Sequence, residues 1–569
     1  MQLQDVNYSA IESQVQEQVA KKSNRGASLT LEWRGLSFKV NDVKAKTEKT
    51  ILHSMSGKAS PGKLLGIMGT SGAGKSTLLD CLAGRISDHK SLRGNLTVNG
   101  NKMDRESFKR VTGYVMQDDA LFPLLTVRET IRYAAALRCA GMTSQERNAV
   151  ADATLSMMKL DKCAETIIGD ANNRGLSGGE RRRVSIAQDL VSSPSLIFLD
   201  EPTSGLDSST ALSVIEVLKE MAESNGSTII MTIHQPSSRL FSLLDDVIFL
   251  ANGQVTYSGS VAALNGYIAT VHEQAGLGPA PVGNTPEVML DMCDQLIKDA
   301  KLSIATNNYS TGEDTETSST TEDLTSESPQ YANSYVSEIG ILLSRAMKNV
   351  IRTPELFFAR IGASTGFGIL LGTLFLNTQD DMLGLQHRLS YFVFIAAFYY
   401  YTSLEALPIF LAEREIFARE FSRGAYRAGT YTIAQTLVTL PPYFFVSAWF
   451  SCITWWLINL QNNGEVFMFH VLIVFTVLVA GSSFATLVST LVPSPMVGQS
   501  AGSGLLSVMF LFSGFFIKAV DMPNYWIWLN YLSLVRFTSF APAPSRLETH
   551  LLTTPPAPPP CTNSVQVRL

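Results

Sequence analysis

The sequence has no CxxC pair, no excess of basic residues and no apolar stretch at its start. Each absence excludes a class of protein. Six cysteines, Cys81, Cys139, Cys163, Cys293, Cys452 and Cys561, are scattered along the chain, which fits free thiols in a reducing compartment better than a disulfide framework or a zinc site. A net charge of −5 gives no footprint for a nucleic-acid partner. The opening residues MQLQDVNYSAIESQVQEQVAKK carry no signal-peptide core, so the N-terminal domain is expected on the cytosolic side.

At 569 residues the chain has room for several domains, and its two halves differ. Residues 1–28 read as a flexible leader and 29–299 as a soluble α/β domain. In that domain Leu64–Met68, Gly113–Met116, Leu196–Leu199, Thr228–Ile233 and Asp246–Leu250 read as strands. Their aliphatic and β-branched content suits a mostly parallel sheet buried on both faces. Residues 300–334, rich in Ser, Thr, Asp and Glu, read as a disordered linker.

Residues 335–540 read as an all-α membrane domain, with apolar runs near 356–376, 389–411, 433–457, 466–492 and 497–517. Each is long enough for a hydrocarbon core of ~30 Å, which takes roughly 20 helical residues. Arg345, Lys348 and Arg352 precede the first run, and Arg414, Arg419, Arg423 and Arg427 follow the second, whereas QNNGE after the third has no Lys or Arg. Positive loops stay inside, so the odd-numbered gaps between runs are expected outside. The tail 541–569 is Pro-rich and too polar to span.

The chemistry concentrates in the first domain. The strand ending at Met68 runs into Gly69-Thr70-Ser71-Gly72-Ala73-Gly74-Lys75-Ser76, then Thr77 and an apolar helix. This is a phosphate-binding loop (P-loop). Glycines let backbone N–H groups curl around phosphates, and the helix N-terminus adds partial positive charge. Lys75 can reach the β- and γ-phosphates and Ser76 can ligate Mg²⁺. Downstream, the strand Leu196–Leu199 ends in Asp200-Glu201. Asp200 suits organising Mg²⁺, and Glu201 suits polarising an attacking water.

Between these motifs stands Leu176-Ser177-Gly178-Gly179-Glu180, which resembles the signature motif of ATP-binding cassette proteins. The rest of that family's set follows the same order. Gln117 in YVMQDD resembles the Q-loop glutamine, a Mg²⁺ ligand that also senses the membrane domain. Ser204-Gly-Leu-Asp207 resembles the D-loop, and His234 in TIHQPS resembles the switch histidine that contacts the γ-phosphate. Phe38 is the candidate adenine platform, with Trp33 as runner-up and core packing as the alternative for both. The resemblance implies an α/β P-loop NTPase cassette followed by an all-α polytopic transmembrane domain, using ATP and Mg²⁺. It also implies a second half-transporter, because Ser177 and the glycine backbone of one cassette meet the γ-phosphate held by the other. A homodimer and a heterodimer both fit.

Cassette before membrane domain resembles the G subfamily, the pigment-precursor, sterol and multidrug half-transporters. HQPSS after Ile233, Asn284-Thr-Pro-Glu, Arg352-Thr-Pro, Glu413-Arg414-Glu415 with Tyr426, and Leu440-Pro-Pro442 agree with it. By that likeness, residues 335–352 form an interfacial helix that transmits cassette closure, and 413–427 form a second coupling element. Tyr401, Leu506 and Phe510 line a substrate slit between two copies, and Phe515-Phe516 plug its outer end. Gly362-x3-Gly366 and Gly368-x3-Gly372 offer close helix approach.

The resemblance implies an ATPase that exports or flops hydrophobic or lipidic molecules across a bilayer. A soluble cassette ATPase is disfavoured by the five apolar runs. A non-transporting or regulatory partner is the alternative, since the subfamily has six spans and a sixth is not evident here. A truncated gene model and a natural five-span variant both fit the tail.

Overall fold

The computed structural model describes residues 28–42, 47–86, 91–103, 108, 111–170, 173–275, 285–298, 331–378, 382–458, 464–517 and 521–536. The leader, most of the linker and the Pro-rich tail lie outside these. The chain divides into two compact units: Met1–Arg352 with Ile416–Gln435, and Thr353–Glu415 with Thr436–Leu569. The division does not fall at one point in the sequence, because Ile416–Gln435 joins the first unit.

The first unit is built on two sheets. The larger has six strands in the order β10-β9-β3-β8-β7-β6: Gln254–Ser260, Asp246–Ala251, Leu64–Gly69, Thr228–Thr232, Leu196–Leu199 and Thr112–Val115. Strands β9, β3, β8, β7 and β6 are parallel, and β10 closes the edge antiparallel. Each expected strand is present, with ends shifted by at most one residue. Every residue of β3, β7 and β8 is buried, as two-sided cover by helices requires.

The smaller sheet is antiparallel, ordered β2-β1-β4-β5: Thr47–Ala59, Leu31–Asp42, Leu92–Val98 and Asn101–Lys102. Sequence reading did not resolve these strands individually. Leu31 and Trp33 are buried at odd positions, then Leu36 and Phe38 at even ones. The phase flips at Gly35, whose φ is 61°, where the β1–β2 pairing shifts register. A bulge of this kind breaks the period of two on which strand recognition rests.

Five helices of this unit position the site: α1 (Lys75–Leu82), α2 (Val127–Arg138), α3 (Ser144–Met157), α4 (Gly178–Leu190) and α5 (Ser208–Asn225). Capping boxes start α2 at Thr126/Glu129, α3 at Thr143/Glu146 and α4 at Ser177/Glu180.

A further helix, α6 (Tyr335–Ile351), docks on the same unit with the segment 416–435. Leu137 of α2, Leu342 of α6, Ala425, Tyr426 and Ala434 form their shared apolar cluster. Arg345 makes a two-pronged pair with Glu420 at 2.8 and 2.9 Å, and the Tyr426 hydroxyl donates to Glu420 at 2.7 Å. Arg419 donates to Ser185 Oγ at 2.5 Å and to the Ala120 carbonyl at 3.1 Å. Arg423 donates to the Tyr114 carbonyl at 2.5 Å and pairs with Asp189 at 2.7 Å. Arg138 also pairs with Asp189, at 2.9 Å. Arg419 and Arg423 of the expected inner loop thus grip α4, β6 and the segment after it.

At the other end of α6, Lys348 and Arg352 converge on Glu129 at 3.1 and 2.5 Å. Burial opposes the Glu129 charge. The hydrogen bonds from Arg352, the Thr126 N–H and Lys348 outweigh it and hold the carboxyl at about 2 instead of 4.5. The pairing therefore stabilises fully above pH 4.5 and fades as pH falls through about 2. Glu129→Gln keeps the capping acceptor but removes the charge. The variant should be less stable at pH 7, by about 1 kcal/mol because both cations are partly solvated. Thermal melts of variant and wild type should converge on acidification; a gap independent of pH would contradict the assignment.

The second unit holds apolar helices: α7 (Pro354–Leu374), α8 (Met382–Ser403), α9 (Leu407–Ser422), α10 (Ala428–Ile458), α11 (Gly464–Leu491) and α12 (Pro495–Leu511). The end of α9 from Ile416 and the start of α10 to Gln435 belong to the first unit. Among the described residues, four stretches are long and apolar enough to cross a membrane: Phe357–Leu374, Gln386–Ser422, Ala428–Ile458 and Gly464–Leu491. The second runs well past the expected end at 411, through a 3-10 turn at Leu404–Ala406.

The expected fifth run, 497–517, is shorter than the sequence suggested. Its helix has 17 residues, about 26 Å at 1.5 Å per residue. It stops before Gly514, at φ 91°, where Ser513 Oγ accepts from the Phe515 N–H at 3.3 Å. The glycine pairs of α7 also divide. A Cβ on Gly372 would lie 2.4 Å from Leu457 Cδ1, and one on Gly368 3.3 Å from Ile453, whereas Gly362 and Gly366 face open space. Only the second pair lets α10 approach closely.

Candidate functional site

The loops carrying the candidate residues leave the same end of the parallel sheet. Strand β3 runs into the phosphate loop, β6 into Gln117, β7 into Asp200 and Glu201, and β8 into His234. These strands are neighbours in the order β3-β8-β7-β6, so the sheet gathers residues far apart in sequence along one edge. This is the carboxyl end of the strands, where open α/β sheets bind ligands.

Backbone geometry shapes the phosphate loop. Gly69 sits at φ 156°, and a Cβ there would lie 2.3 Å from the Leu250 carbonyl oxygen. Gly74 caps α1 in the left-handed region, at φ 98°, without a side-chain cap. The first N–H groups of α1 are thus left for a phosphate. Lys75 is 8% exposed and lies across the loop, donating to the carbonyls of Gly69 at 3.0 Å and Thr70 at 3.1 Å. Burial lowers its pKa, while Glu201 and Asp200 oppose that shift. A desolvated cation folded over its own loop can exchange those carbonyls for phosphate oxygens.

Ser76 Oγ donates to Asp200 Oδ1 at 3.2 Å, and Gln117 Nε2 donates to Glu201 Oε2 at 3.0 Å. The Gln117 amide oxygen stays free to face a cation. These are hard oxygen donors, and among the described residues no three His, Cys, Asp or Glu side chains cluster as a metal cage. The set fits Mg²⁺, which prefers one or two protein ligands completed by water and phosphate.

Two residues that sequence reading missed hold the acids in place. Thr232, fully buried at the end of β8, donates from Oγ1 to Asp200 Oδ1 at 2.6 Å and accepts from the Glu201 N–H at 2.8 Å. Glu201 needs such a restraint, since its φ is 45°, a costly conformation without glycine. Thr232→Val keeps the shape and loses both bonds. A hydrogen bond to a charged group is worth roughly 1.5–3 kcal/mol, so kcat for ATP should fall by about ten- to a hundredfold. Steady-state hydrolysis checks this, and an unchanged kcat would refute the restraint.

The second is Arg182 of α4, 3% exposed, which bonds to both the Gln117 and the Glu201 segments. A threonine in a β-strand and an arginine in a run of three carry no pattern of their own. Thr232 is simply the last residue of β8, and Arg182 stands five residues after Ser177.

The signature serine lies apart from this cluster. Ser177 and Gly178 are exposed at the start of α4. The Ser177 hydroxyl accepts from the Glu180 N–H at 3.3 Å and donates to Glu180 Oε2 at 2.7 Å. Glu180 thus completes the capping box of α4. A Cβ on Gly179 would lie 2.7 Å from Thr210 Cγ2, which fits α4 tightly to α5. Asp207 caps α5 through the Thr210 N–H at 3.0 Å and bonds the Ser209 hydroxyl; those hydrogen bonds hold it below the ordinary carboxylate range. His234 is exposed and is followed by Gln235 at φ 45°. Phe38 and Trp33 are 9% and 1% exposed and pack in the core with residues of the smaller sheet and α1.

In the second unit Tyr401 is 38% exposed and bonds Ser507 Oγ at 2.6 Å. Phe510 meets Phe516 edge-on at 5.3 Å. Leu506 differs from expectation: it is 1% exposed, because Gly498, Gly502 and Leu506 share the buried face of α12. It packs in the apolar cluster that also holds Tyr400, Leu404 and Leu407.

Residues 52–204 match the ABC transporter family model and residues 337–539 the ABC-2 type transporter model. ABC transporter G family member 6 of Arabidopsis thaliana is 41% identical over 523 residues, covering 86% of this chain and 71% of that protein. Member 17 of the same plant is 39% identical over 537 residues, covering 90% and 80%. A solved ATP-binding cassette, dimeric and bound to ADP and Pi in a post-hydrolysis state, is 25% identical over 41% of this chain and 98% of its own, with a TM-score of 0.35. The chain joins a phosphate loop and acid pair on one sheet edge to membrane-length helices, and by its likeness to the two plant proteins it belongs to the ABC transporter G family as an ATP-hydrolysing half-transporter integral to a membrane.

Proposed function

We propose that two copies of this chain, or this chain and a related half, close two ATP sites between them and export or flop hydrophobic or lipidic molecules. The observation that carries the composite site is the separation of its halves. Lys75, Ser76, Asp200 and Glu201 share one sheet edge, while Ser177 and Gly178 stand exposed at the start of α4, where the Ser177 hydroxyl bonds Glu180 and none of those four residues. The capping box satisfies the Ser177 and Glu180 N–H groups, and the exposed Ser177–Gly178 backbone beside it suits an anion held by another molecule.

In this reading the phosphate loop and Lys75 hold the triphosphate, and Ser76, Gln117 and Asp200 hold Mg²⁺, which when bound neutralises developing phosphate charge. Glu201, held by Gln117 and Thr232, orients the attacking water and accepts its proton. His234 approaches the γ-phosphate. Asp207 keeps α5 in place beside α4. Docked helix α6 and the segment 416–427 carry closure of the cassettes, which face the cytosol, to the spans. Tyr401 and Phe510 line the route between copies, with Phe515 and Phe516 at its end. The intact catalytic set weighs against a purely regulatory partner.

The test is vanadate-sensitive ATP hydrolysis by the full-length protein in lipid, with sterols, phospholipids and planar aromatics added in turn. At least one class should stimulate hydrolysis, and Phe510→Ala should change that stimulation. Robust basal hydrolysis untouched by every hydrophobic class would remove the substrate reading.

A further inference from the structure

The Arg181-Arg182-Arg183 run of α4 does unlike things. Arg183 donates to the carbonyls of Met158 and Lys159 at 3.2 and 3.3 Å, a brace to the end of a neighbouring helix. Arg182 turns inward and spends its fork on two functional segments. Its Nη1 donates to the carbonyls of Met116 at 2.7 Å and Gln117 at 2.9 Å, and pairs with Asp119 at 2.9 Å. Its Nη2 donates to the carbonyls of Asp200 at 2.9 Å and Glu201 at 3.2 Å, and Nε reaches that of Pro202 at 3.4 Å. No partner in this set belongs to α4.

We infer that Arg182 is a positioning residue that locks the signature helix of a chain to the catalytic-acid and Gln117 segments of the same chain, so that the two ATP sites of a dimer are adjusted together. The inference rests on the composite-site reading above. In that arrangement the Ser177 end of α4 serves one site, while Glu201 and Gln117 of the same chain serve the other. Arg182 stands between them, one and a half turns into α4. The planar guanidinium matters, because its donors diverge to two segments at once, which a lysine ammonium on a flexible stem cannot reproduce. The Glu201 backbone is held in an unfavourable conformation, so its carboxylate is sensitive to how Asp200–Pro202 is gripped. Gly179 against Thr210 fixes α4 to α5 as well, so a shift at Ser177 moves a rigid assembly that reaches the acids.

The experiment uses two differently tagged full-length chains, purified as a mixed pair in lipid, one wild type and one Arg182→Lys. A single substitution then loosens Glu201 at one site and Ser177 at the other. Misplacement of about 1 Å can cost on the order of a hundredfold in rate, so hydrolysis by the mixed pair should fall about tenfold or more, well beyond the twofold loss of one independent site. Fluorescent-ATP affinity and melting temperature of the variant should stay near wild type. A mixed pair that keeps about half the wild-type kcat would overturn the cross-site link. Parallel losses of ATP affinity and melting temperature would also overturn it, by showing a fold brace alone. Arg182→Met guards against partial substitution by the lysine charge and should lose at least as much kcat. If no two-chain species can be isolated, the composite-site reading fails, and the link with it, by a result distinct from either kinetic outcome.

Discussion

Glu201→Gln should leave ATP bound and hydrolysis lower by about a hundred- to ten-thousandfold, the range set by removing a general base. The substitution is nearly isosteric and preserves what positions the side chain. Gln117 Nε2 donates to Glu201 Oε2, and an amide oxygen can still accept that bond. The backbone N–H to Thr232 is untouched. Lys75 and the N–H groups of α1 do not depend on the Glu201 side chain for their place, since Lys75 is held by loop carbonyls. Affinity for fluorescent ATP should therefore stay within a few-fold while kcat collapses, the signature of an interaction made in the transition state. Wild-type turnover in the variant would refute the role given to Glu201. Equal losses of affinity and kcat would mean that the carboxylate serves binding instead.

Asp189→Asn should be the most damaging change outside the ATP site. Asp189 is fully buried between Arg138 and Arg423 at 2.9 and 2.7 Å, with Arg419 at 3.7 Å. Removing its charge takes away the carboxylate that Arg138, Arg419 and Arg423 share, the latter two of them buried. Breaking a buried ion pair by deleting one partner typically costs about 3–5 kcal/mol. The cassette should melt at markedly lower temperature, and drug- or lipid-stimulated hydrolysis should be lost before basal hydrolysis. Arg423→Met should cost less, because Asp189 keeps Arg138. A variant as stable as wild type would mean that water or a displaced side chain already meets Asp189.

Much of this was legible in the sequence, and the reasons differ by element. The parallel strands are short and apolar throughout, and each ends in a chemically marked loop, so β3, β7 and β8 could be read almost to the residue. The phosphate loop, signature and acid pair are contiguous strings whose chemistry demands those residue types. The antiparallel sheet was harder because the bulge at Gly35 inverts its alternation. Thr232 and Arg182 were invisible, since their importance lies in carbonyls and amides that only folding brings near. Leu506 shows the limit for membrane helices: an all-apolar helix carries little sign of which face is inward, and three residues at four-residue spacing, Gly498, Gly502 and Leu506, decided it. The last apolar run was overextended because Phe515 and Phe516 continue the hydrophobicity after Gly514 has ended the helix.

In the proposed assembly one chain supplies Lys75 and another supplies Ser177 to each ATP site. Complementation between two inactive chains tests it directly. Lys75→Ala disables a chain's own phosphate loop, and Ser177→Arg blocks the surface it offers to its partner. In a mixed pair one site carries both lesions and the other carries neither. Each variant alone should trap almost no nucleotide with vanadate, while the isolated mixed pair should trap about half the wild-type amount, as expected for a two-fold assembly with one intact site. A mixed pair as inactive as either variant alone, with both chains present in equal amount, would contradict the account.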